Sequence, residues 1–191
     1  MALDLQEMLS ETGALLHGHF RLSSGLHSGD YVQCALLLEH PRNAKRVGTE
    51  LASQVRPMSP AKIVSPALGG VIIGYAVAEA LDIPFVFTER KDGQMTLRRG
   101  FHLERDEPIV IIEDVVTTGK STRETADAVR AAGGRVMGFG SILNRSGREN
   151  PYEGVPYVYL LAMNLEAYSE TICPHCEHNV PLHVPGSRYS R

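Results

Sequence analysis

The chain has 191 residues, 43% hydrophobic and 21% charged, which suits one domain with at most a small appendage and excludes wholesale disorder. A formal net charge of -3 argues against nucleic-acid binding through a broad basic face. No apolar run is long enough to span a bilayer, Met1-Ala2-Leu3-Asp4 lacks the character of a secretory signal, and three cysteines make no disulfide framework, so a cytoplasmic protein with no membrane and no nucleic-acid partner is expected.

Within residues 3–16, Leu5, Met8, Leu9 and Leu15 recur at roughly helical spacing and predict a short helix. The glycines and serines of Gly18 through Tyr31 predict loops and turns, and a second helix is predicted from Pro41 to Arg56. Lys62-Ile63-Val64 then reads as a buried strand, residues 71–82 as an apolar helix, and Phe85-Val86-Phe87 as another strand. The apolar residues Val71, Ile72, Ile73, Tyr75 and Val77 are expected in the core, and the polar stretch 88–101 breaks the pattern. Ile109-Val110-Ile111-Ile112 is the clearest buried strand. A helix over 120–132 ends at Gly133-Gly134, and strands follow at Val136–Leu143 and Tyr157–Leu161. Strands alternating with helices predict an α/β fold whose mainly parallel central sheet is flanked by helices.

The most informative segment runs from Ile109 to Thr122. Two acids, Glu113 and Asp114, sit where a buried strand ends, followed by Thr117-Thr118-Gly119-Lys120-Ser121-Thr122 and a helix. In an open parallel sheet ligands bind at the carboxyl ends of the strands, and a helix N-terminus suits a phosphate. Thr117, Thr118, Ser121 and Thr122 add hydroxyl donors, and Gly119 lets the backbone approach. Carboxylates repel phosphate, so the acids make sense if the ligand also presents hydroxyls or a cation. A ribose 5-phosphate does so. Gly119-Lys120-Ser121-Thr122 also imitates the end of a nucleoside-triphosphate P-loop, but the glycine required five residues earlier is Asp114 here.

The run Glu113 to Thr122 closely resembles the signature of the type I phosphoribosyltransferases, which bind 5-phosphoribosyl 1-diphosphate (PRPP). Other segments resemble the orotate phosphoribosyltransferase family, in the right order from about residue 13 to 162. Gly18 through Tyr31 is similar to its N-terminal hood and Ser65-Pro66-Ala67-Leu68-Gly69-Gly70 to its diphosphate loop. Thr88-Glu89-Arg90-Lys91 with Met95 through Phe101 resembles its mobile loop, and Asn144-Arg145-Ser146-Gly147 its base-binding arginine segment.

The resemblance implies a single phosphoribosyltransferase domain over 1–191: a small hood about 1–40 plus a C-terminal tail about 163–191, and a core about 41–162. It implies transfer of phosphoribose to orotate in pyrimidine synthesis, with Mg2+ bound through PRPP and no direct protein ligand. Glu113, Asp114, Arg90 and Lys91 are the implied catalytic residues. PRPP contacts are implied for these four and for Leu68, Gly69, Gly70, Val115, Val116, Thr117, Thr118, Gly119, Lys120 and Ser121, and orotate contacts for Thr117 and Arg145. A homodimer is implied in which one subunit's loop covers the other's PRPP. The alternatives are a purine or xanthine phosphoribosyltransferase and a phosphoribosyltransferase-like nucleic-acid-binding regulator. The chain departs from the family pattern at Ser23 and Gly69, where well-studied bacterial members carry lysines; Arg90, Lys91, Arg98 and Arg99 are candidate replacements for that charge.

The C-terminal Cys173-Pro174-His175-Cys176-Glu177-His178 is a second chemical feature. Cys173 and Cys176 have the spacing of two zinc ligands, with His175, His178 or His183 nearby, but the chain holds no second Cys-x-x-Cys and Cys34 is distant in sequence. A dimer-bridging metal, a redox pair and inert thiols stand as alternatives. His19 and His27 are assigned no chemical role.

Overall fold

The computed structural model describes residues 3–22 and 24–185, so Ser23 lies outside the described residues. The first elements are α1 (Leu5–Glu11), β1 (Leu15–Arg21), β2 (His27–Val32), α2 (Cys34–Leu38) and α3 (Pro41–Val55). Then come β3 (Lys62–Pro66), α4 (Gly69–Leu81), β4 (Phe85–Lys91), β5 (Gln94–Leu97) and β6 (Pro108–Val116). The last are α5 (Lys120–Ala131), β7 (Arg135–Asn144), β8 (Tyr157–Ala162) and α6 (Pro174–Glu177). They divide between two compact units. One holds Leu38–Met163 with the start of the chain up to Leu5; the other holds Gln6–Leu37 and the segment from Asn164 onward.

The larger unit is a six-stranded sheet in the order β5-β4-β3-β6-β7-β8. All neighbours are parallel except β5, which runs antiparallel to β4 at one edge. The α/β sheet expected from the alternating pattern is therefore present. Ile109, Val110, Ile111 and Ile112 are all fully buried. Ile109 and Ile111 join the core under α5 with Ala126, Val129 and Phe139. Ile112 points the other way, towards the α3 face, where it meets the space above Gly140 beside Leu51 and Val55. Each such side chain contributes roughly 1.5–3 kcal/mol by leaving water, so the central strand is also the strongest anchor. Helices α3 and α4 cross closely, because a Cβ on Gly48 would lie 2.6 Å from that of Ala76.

The first helix stops at Glu11, and Leu15, counted in its spacing, opens β1 instead; three other sequence expectations change. The polar stretch 88–101 does not begin a loop at 88: β4 continues to Lys91, turns at Asp92-Gly93, and returns as β5. Both turn residues have positive φ, 50° and 83°, the conformation that an Asp-Gly hairpin favours. Its base packs inside the unit, since Thr88 is fully buried and shares a 2.9 Å hydrogen bond with Thr125. Within the expected core stripe, Ile73 and Val77 are buried, but Ile72 and Tyr75 are exposed. A helix has two sides, and the outer one here is apolar as well.

The third change lies in the smaller unit. Residues 18–31 form most of an antiparallel hairpin, β1 with β2, and not a run of loops. The C-terminal segment bridges both of its strands, with Phe20 paired to His183 and His27 paired to Tyr168. This segment supplies the backbone partners that a two-stranded ribbon lacks.

Candidate active site

Strands β3 and β6 are neighbours, yet the chain moves to opposite sides of the sheet after each. Ligands of open parallel sheets bind outside the strand ends at such a reversal. Two segments from the sequence reading meet there. Gly69-Gly70 opens α4 immediately after β3, and Glu113-Asp114 lies near the end of β6. A Cβ on Gly69 would sit 2.6 Å from Asp114 Oδ1 and 2.8 Å from Oδ2. A Cβ on Gly70 would sit 2.9 Å from the Ile112 carbonyl oxygen and 3.3 Å from Glu113 Oε1. The glycines thus let the start of α4 come down onto both acids. In this chain a side chain at residue 69 would have to displace the Asp114 carboxylate.

Asp114 Oδ1 accepts a 2.9 Å hydrogen bond from the Val115 N–H. Burial pushes the Asp114 carboxyl above its ordinary value, while a hydrogen bond with Glu113 and the backbone N–H pull it part of the way back. Glu113 is itself buried. Two adjoining acids at a strand end present a concentrated acceptor surface, suited to a vicinal pair of hydroxyls.

The turn that follows is organised by its own side chains. Gly119 caps α5 with φ 69°, and the Lys120 N–H donates to Thr118 Oγ1 at 3.3 Å. Arg123 reaches back to donate to the Thr118 carbonyl at 2.6 Å. Thr117, Thr118 and Lys120 are exposed and Ser121 half-buried, so their polar groups remain open to a ligand. Thr122 is different. Its hydroxyl is buried, donates to the Gly119 carbonyl at 3.0 Å and lies 2.6 Å from the Tyr152 hydroxyl, so it braces the turn. Burial holds Tyr152 neutral, pushed up to about 12. Val116 is also in the core, leaving only its backbone for a ligand. Tyr152 escaped the sequence reading because nothing local links it to residue 122.

Arg145 follows β7, and its N–H donates to the Val116 carbonyl at 2.7 Å, which sets it beside Thr117. Asn144 shapes that corner: its Oδ1 accepts from the Ser146 N–H at 3.0 Å and hydroxyl at 2.7 Å, and its Nδ2 donates to the Arg148 carbonyl at 2.8 Å.

The four cationic candidates of the 88–101 segment separate. Arg90 is engaged by Glu124 and the Gly93 carbonyl. Arg99 makes two 2.7 Å hydrogen bonds to Glu89 and lies 5.6 Å above the Phe87 ring. This pair holds the Glu89 carboxyl below its ordinary value. Lys91, at the hairpin turn, is exposed and has no ion-pair partner among the described residues. Arg98 is exposed too, with its charge felt at Glu89. Glu124, which clamps Arg90 and lies 3.9 Å from Lys120, was missed by the sequence reading, although its i,i+4 relation to Lys120 was visible. A separate cavity of about 520 Å³ lies along α5, lined by Arg123, Arg130, Phe139, Arg148 and Tyr152 among others, and contains none of the acids or glycines above.

In the smaller unit, Cys173 and Cys176 do not gather His175, His178 or His183 as fellow ligands. They converge on His19 and His27, to which the sequence reading gave no role.

Comparison with known proteins places these features in a family. The phosphoribosyl transferase domain matches residues 37–167. The orotate phosphoribosyltransferase of Carboxydothermus hydrogenoformans is 45% identical over 188 residues, covering 97% of this chain and 98% of that one. That of Thermotoga maritima is 45% identical over 184 residues, covering 96% and 98%. Among solved structures, orotate phosphoribosyltransferase from Aeropyrum pernix superposes with a TM-score of 0.67 at 25% identity, covering 83% of this chain and 93% of that one. With the domain matched over most of its length and relatives aligned nearly end to end, the chain belongs to the phosphoribosyl transferase family, in its orotate phosphoribosyltransferase branch.

Proposed function

We propose that the chain transfers the 5-phosphoribosyl group of PRPP to orotate, releasing diphosphate and forming orotidine 5′-monophosphate, a step of de novo UMP synthesis. The observation that carries this reading is the meeting of Gly69-Gly70, Glu113-Asp114 and the 117–121 turn around one strand reversal. In the proposed arrangement the ribose 5-phosphate occupies the turn, the ribose hydroxyls face Glu113 and Asp114, and the diphosphate lies against the start of α4. Arg145 pairs with the orotate carboxylate, a geometry that guanidinium suits, with Thr117 at its side.

The sugar becomes positive as its bond to diphosphate breaks, and the leaving group gains negative charge. Nearby carboxylates favour the first, and backbone N–H groups and cations the second, so positioning and electrostatics carry the rate. Lys91 has the clearest access to the diphosphate, because Arg90 and Arg99 already hold carboxylate partners. Closure of the hairpin tip would also keep water from hydrolysing PRPP.

Mg2+ prefers substrate oxygens and waters to an all-protein cage, and with Glu113 and Asp114 holding the ribose hydroxyls it would be held by the substrate's own oxygens. Bound through PRPP, it would neutralise charge on the departing diphosphate. Leu68, Ile72 and Tyr75 are exposed at 81%, 46% and 64% and recur at helical spacing, a stripe that suits burial against a second copy and supports a homodimer. Three free cysteines suit a reducing cytoplasm; among the described residues no helix is long and apolar enough to cross a membrane.

The test is PRPP-dependent consumption of orotate with Mg2+, against hypoxanthine, xanthine and uracil. Orotate is expected to be used at least tenfold better than any of these. Preference for a purine base would overturn the assignment.

A further inference from the structure

We propose that His19, His27, Cys173 and Cys176 form a closed four-ligand zinc site that fastens the C-terminal segment to the β1–β2 hairpin. The four ligand atoms lie within 4.8 Å of one another. His19 Nε2 is 2.9 Å from His27 Nδ1, 3.5 Å from Cys173 Sγ and 3.7 Å from Cys176 Sγ, and His27 Nδ1 is 3.2 Å from Cys176 Sγ. Zinc bonds of about 2.0 Å to nitrogen and 2.3 Å to sulfur, arranged tetrahedrally, separate their ligand atoms by roughly 3.3–3.8 Å. Shifts of up to about 1 Å bring the observed spacings to that geometry.

The surroundings fit a metal better than four idle side chains. His19, His27 and Cys173 are 2%, 3% and 3% exposed, so two imidazoles and a thiol are buried together. His19 sits at a bulge between His17 and Phe20, and its ring meets that of His27 on one face of the hairpin, Nε2 to Nδ1 2.9 Å. His19 Nδ1 donates to the Val180 carbonyl at 2.8 Å. That bond fixes the tautomer and turns the Nε2 lone pair into the cluster, as metal-bound histidines are commonly held. The outer wall is built as well. His175 stacks on His19 with centroids 5.5 Å apart and lies over Gly29, where an added Cβ would be 2.7 Å from its Nε2 and would push the ring aside.

Binding releases one proton from each thiol to solvent, and both histidines remain neutral. Zn2+ with two thiolates then carries no net charge, which a buried site tolerates. A mixed sulfur and nitrogen set of four selects zinc over magnesium or calcium, and four protein ligands leave no open position for chemistry. The site is therefore structural. It joins residues far apart in the sequence in a unit whose only sheet, among the described residues, is a two-stranded ribbon.

The test uses the full chain. After dialysis it should retain about one zinc per chain by elemental analysis. Replacement by Co2+ should give the visible bands of a tetrahedral site and the near-ultraviolet charge-transfer band of thiolate ligands. Stripping with a strong chelator should lower the melting temperature, and added Zn2+ should restore it. Cys176→Ser and His27→Gln should each reduce retained zinc at least tenfold, whereas His175→Ala and His178→Ala should keep it. The cobalt spectrum of the unaltered chain serves even if a variant fails to fold. A natively folded chain that takes up neither metal stoichiometrically overturns the proposal, and so does a His27→Gln protein with undiminished zinc.

Discussion

A methyl group added at residue 69 probes the site without deleting any polar group. In Gly69→Ala the new Cβ would lie 2.6, 2.8 and 2.9 Å from Asp114 Oδ1, Oδ2 and Cγ, where ordinary contact begins at 3.4 Å. The carboxylate must therefore retreat by roughly 0.5–0.8 Å. It is not loose: the Val115 N–H holds it at 2.9 Å, and Glu113 hydrogen-bonds it from the side. Overpacking of this kind costs about 1–3 kcal/mol, while alanine for glycine in a helix returns up to about 1 kcal/mol. The net loss lies between about 0 and 3 kcal/mol, so the melting temperature should fall by at most roughly 12 °C. Activity should suffer more, because a displacement approaching 1 Å costs on the order of 100-fold when positioning carries the rate. A fall of about 10- to 100-fold in kcat/KM for PRPP is expected, measured by orotate consumption beside a thermal melt. A folded Gly69→Ala protein with wild-type kcat/KM would refute the placing of Asp114 against the sugar.

Three further outcomes follow from the same geometry. The folded-state value of Asp114 is raised above the ordinary 3.8, so between those two values the native state binds more protons than the unfolded chain and stability falls as pH rises. Asp114→Asn should therefore melt higher than wild type at neutral pH, with the gap shrinking in acid, while turnover drops sharply; a lower melting point at pH 7 would contradict the burial argument. Arg145→Ala should weaken orotate by about 1.5–3 kcal/mol, roughly 10- to 150-fold, with PRPP much less affected, and equal loss for both substrates would point to general damage. For a shared-site dimer, Arg90→Ala with Lys91→Ala in one chain and Asp114→Asn in the other, refolded together at equal amounts, should recover about a quarter of wild-type activity from two inactive parents; mixed dimers that stay inactive would confine the hairpin to its own subunit.

The central sheet was legible because β6 is buried on both faces, and such a strand reads as an unbroken apolar run. The hairpin of β4 and β5 was not, although its Asp92-Gly93 turn stood in plain sight: its polar residues suggested solvent, while backbone pairing and the buried Thr88 hold it to the sheet. The glycines and serines of 18–31 hid β1 and β2 in the same way, since the pairing that orders them includes residues near 168 and 183. The acids and the phosphate turn were readable as one continuous segment. The fit of Gly69 against Asp114 was not, because it depends on a gap of under 3 Å between residues 45 positions apart. His19 and His27 lacked any local cue, as their relation to Cys173 and Cys176 exists only after the chain ends meet.

That division of the smaller unit between the two ends of the sequence sets an order of events during synthesis. At roughly 5–20 residues per second, the segment from Asn164 leaves the ribosome on the order of 10 s after β1 and β2. Until then the hairpin is an isolated ribbon, marginal in water, with both edges open to other chains. The larger unit, nearly all of it contiguous from Leu38 to Met163, can finish first. The vulnerable interval thus belongs to the part made earliest. A chain ending just beyond Met163, once released from the ribosome, should resist protease across the sheet and be cut within residues 6–37.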